Sequence, residues 1–153
     1  MMGFNKVNHF DDPLHEALMS VWWSGILLKR QARRFFRDRI ASESQFNVMM
    51  LLKYAEKPLS QQDLSERLLV DKSNLTGLID SLEKLGFVKR RKSPDDRRFY
   101  RLTLTGKGAA FLDEVEGPYR ELVHKIMSVY SPSEMEHLTE LMVRLQSGLE
   151  DAK

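Results

Sequence analysis

The run Lys72-Ser73-Asn74-Leu75-Thr76-Gly77 concentrates groups that can pair with the edges of nucleic-acid bases. An asparagine carboxamide bonds bidentately to adenine, serine and threonine hydroxyls bond to several bases, and a threonine methyl packs against that of thymine. Lys72 suits a phosphate better than a base, because its ammonium is a point charge. Further on, residues 89–101 hold Lys89, Arg90, Arg91, Lys92, Arg97, Arg98 and Arg101 against only Asp95 and Asp96. Arginines at the tip of a hairpin can enter a minor groove, where narrow A·T-rich stretches concentrate negative potential. Each group also has a plainer reading. The first can be the solvated face of a helix, and the second a charged strand edge that resists aggregation. For the first group alone the two readings are level, since helix pairs occur in many all-helical folds. Basic residues on two consecutive strands directly after such a pair favour the nucleic-acid reading.

No pattern in the sequence supports catalysis. His9, His15, His124 and His137 show neither the His-x-x-x-His nor the His-Glu-x-x-His spacing of a metal site. A histidine and carboxylate site converging from distant segments of two chains stays open as an alternative. The absence of cysteine removes thiolate nucleophiles, Cys-ligated zinc, disulfides and thiol-based redox switching. Thr105-Gly106-Lys107-Gly108 has neither the earlier glycine nor the Ser/Thr after lysine that a phosphate loop requires. The expectation is a protein that is not an enzyme and needs no cofactor or metal.

The base-pairing run and the basic run need elements to position them. From about Asp12 to Arg39, Leu14, Leu18, Val21, Trp22, Gly25, Leu28, Ala32 and Phe35 recur at helical spacing. Trp23, Ile26, Leu27 and Phe36 widen that stripe beyond what one small core requires, as in a helix that packs on a second layer or another subunit. Ser42-Glu43-Ser44-Gln45 reads as a capping box for a helix through Phe46 and Met49 that ends near Pro58. Ser60 to Asp63 starts a short helix with Leu64, Leu68 and Leu69, and Asp71 or Ser73 can cap the next, which carries Leu75, Leu78, Ile79, Leu82 and Leu85 to a stop at Gly86. Two such helices joined by a tight turn form a helix-turn-helix. Phe87–Lys92 and Phe99–Leu104 are β-prone runs around the turn cluster Ser93-Pro94-Asp95-Asp96, which predicts a hairpin, or wing. Thr105 can cap a long helix through Tyr130, with a kink expected at Pro118, and Ser131-Pro132-Ser133-Glu134 starts the last one. The fold class is mainly α with a small β-hairpin wing, a winged helix-turn-helix.

Charge follows the same division. The 153 residues carry a net charge of +2, but residues 1–43, 44–108 and 109–153 carry net +2, +5 and −5. A basic middle beside an acidic tail directs an anionic partner to the middle. No run approaches the roughly 20 apolar residues of a membrane span, and the N-terminus lacks a signal-peptide pattern, so the expected compartment is the cytoplasm.

Two blocks also resemble a known family. Asp71-Lys72-Ser73-Asn74-Leu75-Thr76, followed by Leu82-Glu83-Lys84-Leu85-Gly86-Phe87-Val88-Lys89-Arg90, is similar to the recognition-helix block of MarR-type (multiple antibiotic resistance) regulators. Asp96-Arg97-Arg98, then Leu104-Thr105-Gly106-Lys107-Gly108, is similar to that family's wing signature. The resemblance implies one domain over 1–153, in which 10–40 and 106–150 intertwine as dimerisation helices and 42–104 forms the DNA-binding region. It implies a homodimeric regulator, a repressor by expectation, on double-stranded DNA with an inverted-repeat operator. Lys72, Ser73, Asn74, Thr76 and Gly77 would face the major groove, Arg97 and Arg98 would serve the wing with Arg98 at its tip, and Asp96 would brace it. Gly77 departs from the pattern, because many members carry arginine or another polar residue there, so one base contact is missing.

Many relatives also respond to a small aromatic or phenolic effector in a crevice between the dimer helices and the winged region. Trp22, Trp23, Phe46, Met49 and Phe111 are the candidates for lining it, although stripes of this kind more often form ordinary core. The alternative function is a protein–protein module that keeps the winged scaffold and does not read DNA.

Overall fold

Asp12 opens the first helix: its carboxylate accepts the Leu14 N–H at 3.0 Å, and proline follows at the first helical position. The structure, a computed structural model, describes residues 12–39, 41–68, 70–92 and 100–151. In chain order these form α1 (Pro13–Phe36), α2 (Glu43–Tyr54), β1 (Leu59–Ser60), α3 (Gln61–Leu68), α4 (Lys72–Lys84), β2 (Val88–Lys92), β3 (Tyr100–Leu104), α5 (Gly106–Met127) and α6 (Pro132–Asp151). The chain divides into two compact units, residues 1–109 and 110–153.

Reciprocal caps start the helices where serine precedes an acid or amide by three residues. The Ser42 N–H donates to Gln45 Oε1 at 2.8 Å while the Gln45 N–H donates to Ser42 Oγ at 3.3 Å. Ser60 and Asp63 make the same exchange at the head of α3, at 2.7 and 3.1 Å. Ser131 and Glu134 make it at the head of α6, at 2.7 and 3.4 Å.

In the first unit, Phe46, Val48 and Met49 of α2, Leu64 of α3, Leu75, Ile79 and Leu82 of α4, Phe87 and Leu102 form one buried core. The hairpin of β2 and β3 is joined by β1 in an antiparallel sheet of order β1-β3-β2. The sequence reading did not contain β1, because two residues are too few to show a period of two. It belongs to the sheet because Leu59 lies opposite Leu102 and both are buried.

Two glycines fix how α4 hands over to the sheet. Gly86 takes φ +76° after the last turn of α4. Its N–H bonds Glu83 O and the Phe87 N–H bonds Leu82 O, both at 2.9 Å, which completes a Schellman stop with Phe87 and Leu82 buried together. Gly108, in the first turn of α5, lies so close to this corner that a Cβ there would sit 2.2 Å from Phe87 O. Thr105 ties the same corner from the other side. Its hydroxyl donates to Gly86 O at 2.6 Å and accepts the Gly108 N–H at 3.1 Å, which is the cap expected of it.

In the second unit, α5 runs without a break through Pro118 and ends at Met127, three residues before Tyr130. Leu112 and Val115 are buried, whereas α6 buries no residue. The 24 residues of α1 bury only Ala32 and Phe36.

Candidate nucleic-acid interface

α3 and α4 are the helix pair, and burial divides α4 cleanly into two faces. Leu75, Ile79 and Leu82 are fully buried and Leu78 is half-buried, while Lys72, Ser73, Asn74, Thr76 and Gly77 are all exposed. The side chains of Lys72, Ser73 and Asn74 have no hydrogen-bond partner among the described residues. Asp71 occupies the cap position, but its carboxylate caps nothing. The helix start rests instead on the Leu75 N–H bonding Asp71 O at 3.0 Å. Thr76 differs from its neighbours. Its hydroxyl donates to Lys72 O at 2.8 Å and accepts a hydrogen bond from Gln61 Nε2 of α3.

The register of the hairpin sorts its basic residues, because directly opposed residues share a face of the sheet. Lys89 lies opposite Thr103 and Arg91 opposite Arg101, whereas Arg90 lies opposite the buried Leu102. Arg90 therefore points toward α4, where its guanidinium pairs with Asp80 at 2.7 Å and with Glu83, and its N–H donates to Glu83 Oε1 at 3.0 Å. It braces the hairpin on α4, with its guanidinium engaged by two carboxylates of that helix. Arg101 reaches Asp63 Oδ2 at 3.5 Å. The hydroxyl and N–H of Ser60, and then Arg101 and Arg67, hold the Asp63 carboxyl below the usual aspartate value. Lys89, Arg91 and Lys92 remain exposed. The bracing role of Arg90 was missed in the sequence, although its two-residue offset from the apolar Val88 carried the signal.

Asp95, Asp96, Arg97 and Arg98 lie outside the described residues. Of the ligand-pocket candidates, Phe46 and Met49 are fully buried in the core, Phe111 is half-buried, and Trp23 and Trp22 are exposed. A surface cleft of about 390 Å³ in the first unit is lined by Lys29, Arg33, Phe36, Arg37, Ser42, Glu43 and Ser44, and by none of those five. Among the described residues no group of three histidine, aspartate or glutamate side chains could hold a metal ion, and no helix is long and apolar enough to cross a membrane.

Residues 41–99, which contain the helix pair and the first hairpin strand, match the model of the MarR family. The chain is 30% identical to the transcriptional repressor MprA of Escherichia coli (strain K12) over 154 aligned positions, covering 98% of this chain and 87% of that protein. The fold is similar to that of AbsC, a MarR family transcriptional regulator from Streptomyces coelicolor, with a TM-score of 0.85 at 18% identity over 95% and 99% of the two chains. It is also similar to the protein in the S. aureus MepR–DNA complex, with a TM-score of 0.78 at 18% identity over 86% and 96%. With its exposed polar helix face, its basic hairpin and a relative aligned along nearly its whole length, the chain belongs to the MarR family, whose members are transcriptional regulators and not enzymes.

Proposed function

We propose that the chain is a homodimeric repressor that binds an inverted-repeat operator in double-stranded DNA. The observation that carries this reading is the division of α4, whose apolar side is buried while Lys72, Ser73, Asn74, Thr76 and Gly77 stand exposed on adjacent turns. The major groove is about as wide as one helix, and the N-terminal part of a recognition helix is what approaches base edges. Lys89, Arg91 and Lys92 extend the positive charge along β2, and by the family resemblance Arg97 and Arg98 would serve the wing and Asp96 would brace it. The repressor role is taken from MprA, and the DNA partner agrees with the complex formed by MepR.

The exposed face of α1 supports the dimer. Leu14, Leu18, Trp22 and Leu28 are 81%, 49%, 65% and 51% exposed, a continuous apolar face that a single chain leaves in water. A second copy covers it, and the two-fold symmetry of the pair matches an inverted repeat whose half-sites lie about one helical turn, roughly 34 Å, apart. Lysine and arginine side chains draw the dimer to DNA by releasing counterions, and α4 then reads sequence. A small aromatic or phenolic effector that prefers a different separation of the two recognition helices lowers operator affinity through its differential affinity for the two states. Trp22, Trp23, Phe46, Met49 and Phe111 are the candidates for meeting it.

The test is selection of duplexes from a random pool by the purified protein, with binding repeated at two salt concentrations. Enrichment of an inverted repeat, with affinity falling steeply as salt rises, is the expected result. Absence of binding at low salt would overturn the reading and favour a protein partner.

A further inference from the structure

Of the exposed polar side chains at the head of α4, Lys72, Ser73, Asn74 and Thr76, only that of Thr76 is engaged by another group among the described residues. A hydroxyl has one donor and two acceptor positions. Here the donor is committed to Lys72 O at 2.8 Å, and one acceptor position takes the amide of Gln61 from α3. Ser73 and Asn74, on the same face, have no such partner among the described residues. A threonine has a single side-chain torsion that moves hydroxyl and methyl together, so bonds that hold Oγ1 against the helix backbone also fix the direction of Cγ2. The methyl is then the uncommitted part of an exposed side chain at the head of α4.

We infer that Thr76 reads DNA through its methyl group, against the C5-methyl of a thymine in the major groove, and that Gln61 is a positioning residue that holds the hydroxyl away from the bases. This rests on the proposal that α4 is a recognition helix. Donor and acceptor groups on base edges would be read by Asn74 and Ser73, and Thr76 would read the thymine methyl that no other base carries.

The experiment uses the operator recovered by selection, with each thymine replaced in turn by deoxyuridine, symmetrically in both half-sites. At one position the wild-type dimer should lose about fourfold in affinity per half-site, the size expected when one methyl leaves an apolar contact. Thr76→Val, which keeps a methyl in either rotamer and has no hydroxyl, should bind like wild type and show the same deoxyuridine penalty. Thr76→Ser should bind more weakly and lose the penalty. Gln61→Ala should weaken binding beside Thr76 and have no effect beside Thr76→Val, a dependence that a general loss of structure would not produce. Circular dichroism of each variant separates misfolding from lost contact.

A flat response to deoxyuridine at every position, or Thr76→Val binding as poorly as Thr76→Ser, overturns the methyl reading. Equal weakening by Gln61→Ala in both backgrounds overturns the positioning role and makes Gln61 a direct contact. Failure to select any operator removes the recognition-helix proposal itself and this inference with it, whereas an operator with a flat deoxyuridine response removes this inference alone.

Discussion

α1 and α2 carry the same kind of apolar helical pattern, and the chain treats them in opposite ways. The 12 residues of α2 bury Phe46, Val48 and Met49 completely, while α1, twice as long, buries only Ala32 and Phe36. Periodicity therefore establishes that a helix has an apolar face and leaves open which surface covers it. The polar groups divide in the same way. Arg90 is committed to Asp80 and Glu83 on α4, whereas Lys72, Ser73 and Asn74 have no side-chain partner among the described residues. Groups engaged within the chain hold the fold together, and groups left uncommitted are where a second chain and a DNA duplex are expected to attach.

The widest gap between the two helices should appear on mutation. Phe46→Ala should cost roughly 3–5 kcal/mol in urea unfolding, because it opens a cavity in a closed core. The paired change Leu18→Glu with Trp22→Glu places charges on the exposed face of α1 and should leave the helical content of the chain intact. Its expected effect is on assembly, read by sedimentation as a fall from two chains to one. If that variant sediments like the wild type, the face of α1 is not a subunit interface, and the contrast with α2 would need another explanation.

Two glycines sharpen the comparison with a smaller pair of effects. A Cβ on Gly108 would lie 2.2 Å from Phe87 O, in backbone that Thr105 also holds. Gly108→Ala should therefore cost at least the roughly 1–3 kcal/mol of an overpacked site. At Gly77 a Cβ meets nothing within 4 Å. Gly77→Ala should stabilise α4 by up to about 1 kcal/mol, since alanine restricts the unfolded chain and favours helix. The same substitution thus has opposite signs at an engaged and an uncommitted position. Thermal melts of the two variants would show it, and equal signs would break the distinction.

How far the sequence revealed this division depended on the range of each signal. Capping boxes at Ser42 and Ser131, the stop at Gly86 and the hairpin were legible because each rests on residues within a few positions of one another. The exposed face of α4 was legible too, since Leu75, Ile79 and Leu82 fix the opposite side by spacing alone. β1 was not, because a two-residue strand is defined by its pairing with Leu102 and Arg101, some forty positions away. The bond from Gln61 to Thr76 and the clamp on Arg90 were hidden for the same reason, as both join different elements of the tertiary fold. Composition counted seven basic residues at the hairpin as one group. Only the register shows that Arg90 faces α4 and that Arg101 reaches Asp63.

That contact supports the smallest effect. Asp63 accepts from Ser60 and lies beside Arg101, so its folded-state pKa is lowered below the ordinary value of 3.8. A carboxylate with a depressed pKa adds stability above its unfolded value, and the addition disappears as pH falls through the folded one. The side chain is 41% exposed, so water and salt screen the Arg101 pair, and the whole contribution should stay below about 1 kcal/mol. Asp63→Asn keeps an acceptor for the Ser60 N–H and removes the charge. At neutral pH it should be slightly less stable than the wild type, and the difference should start to shrink near the ordinary value of 3.8 and vanish only once pH has fallen through the lowered folded value, where Asp63 itself becomes neutral. A difference unchanged across that range would mean that Asp63 acts only as a neutral cap for α3, and that Arg101 belongs with Lys89 and Arg91 among the exposed charges of the hairpin.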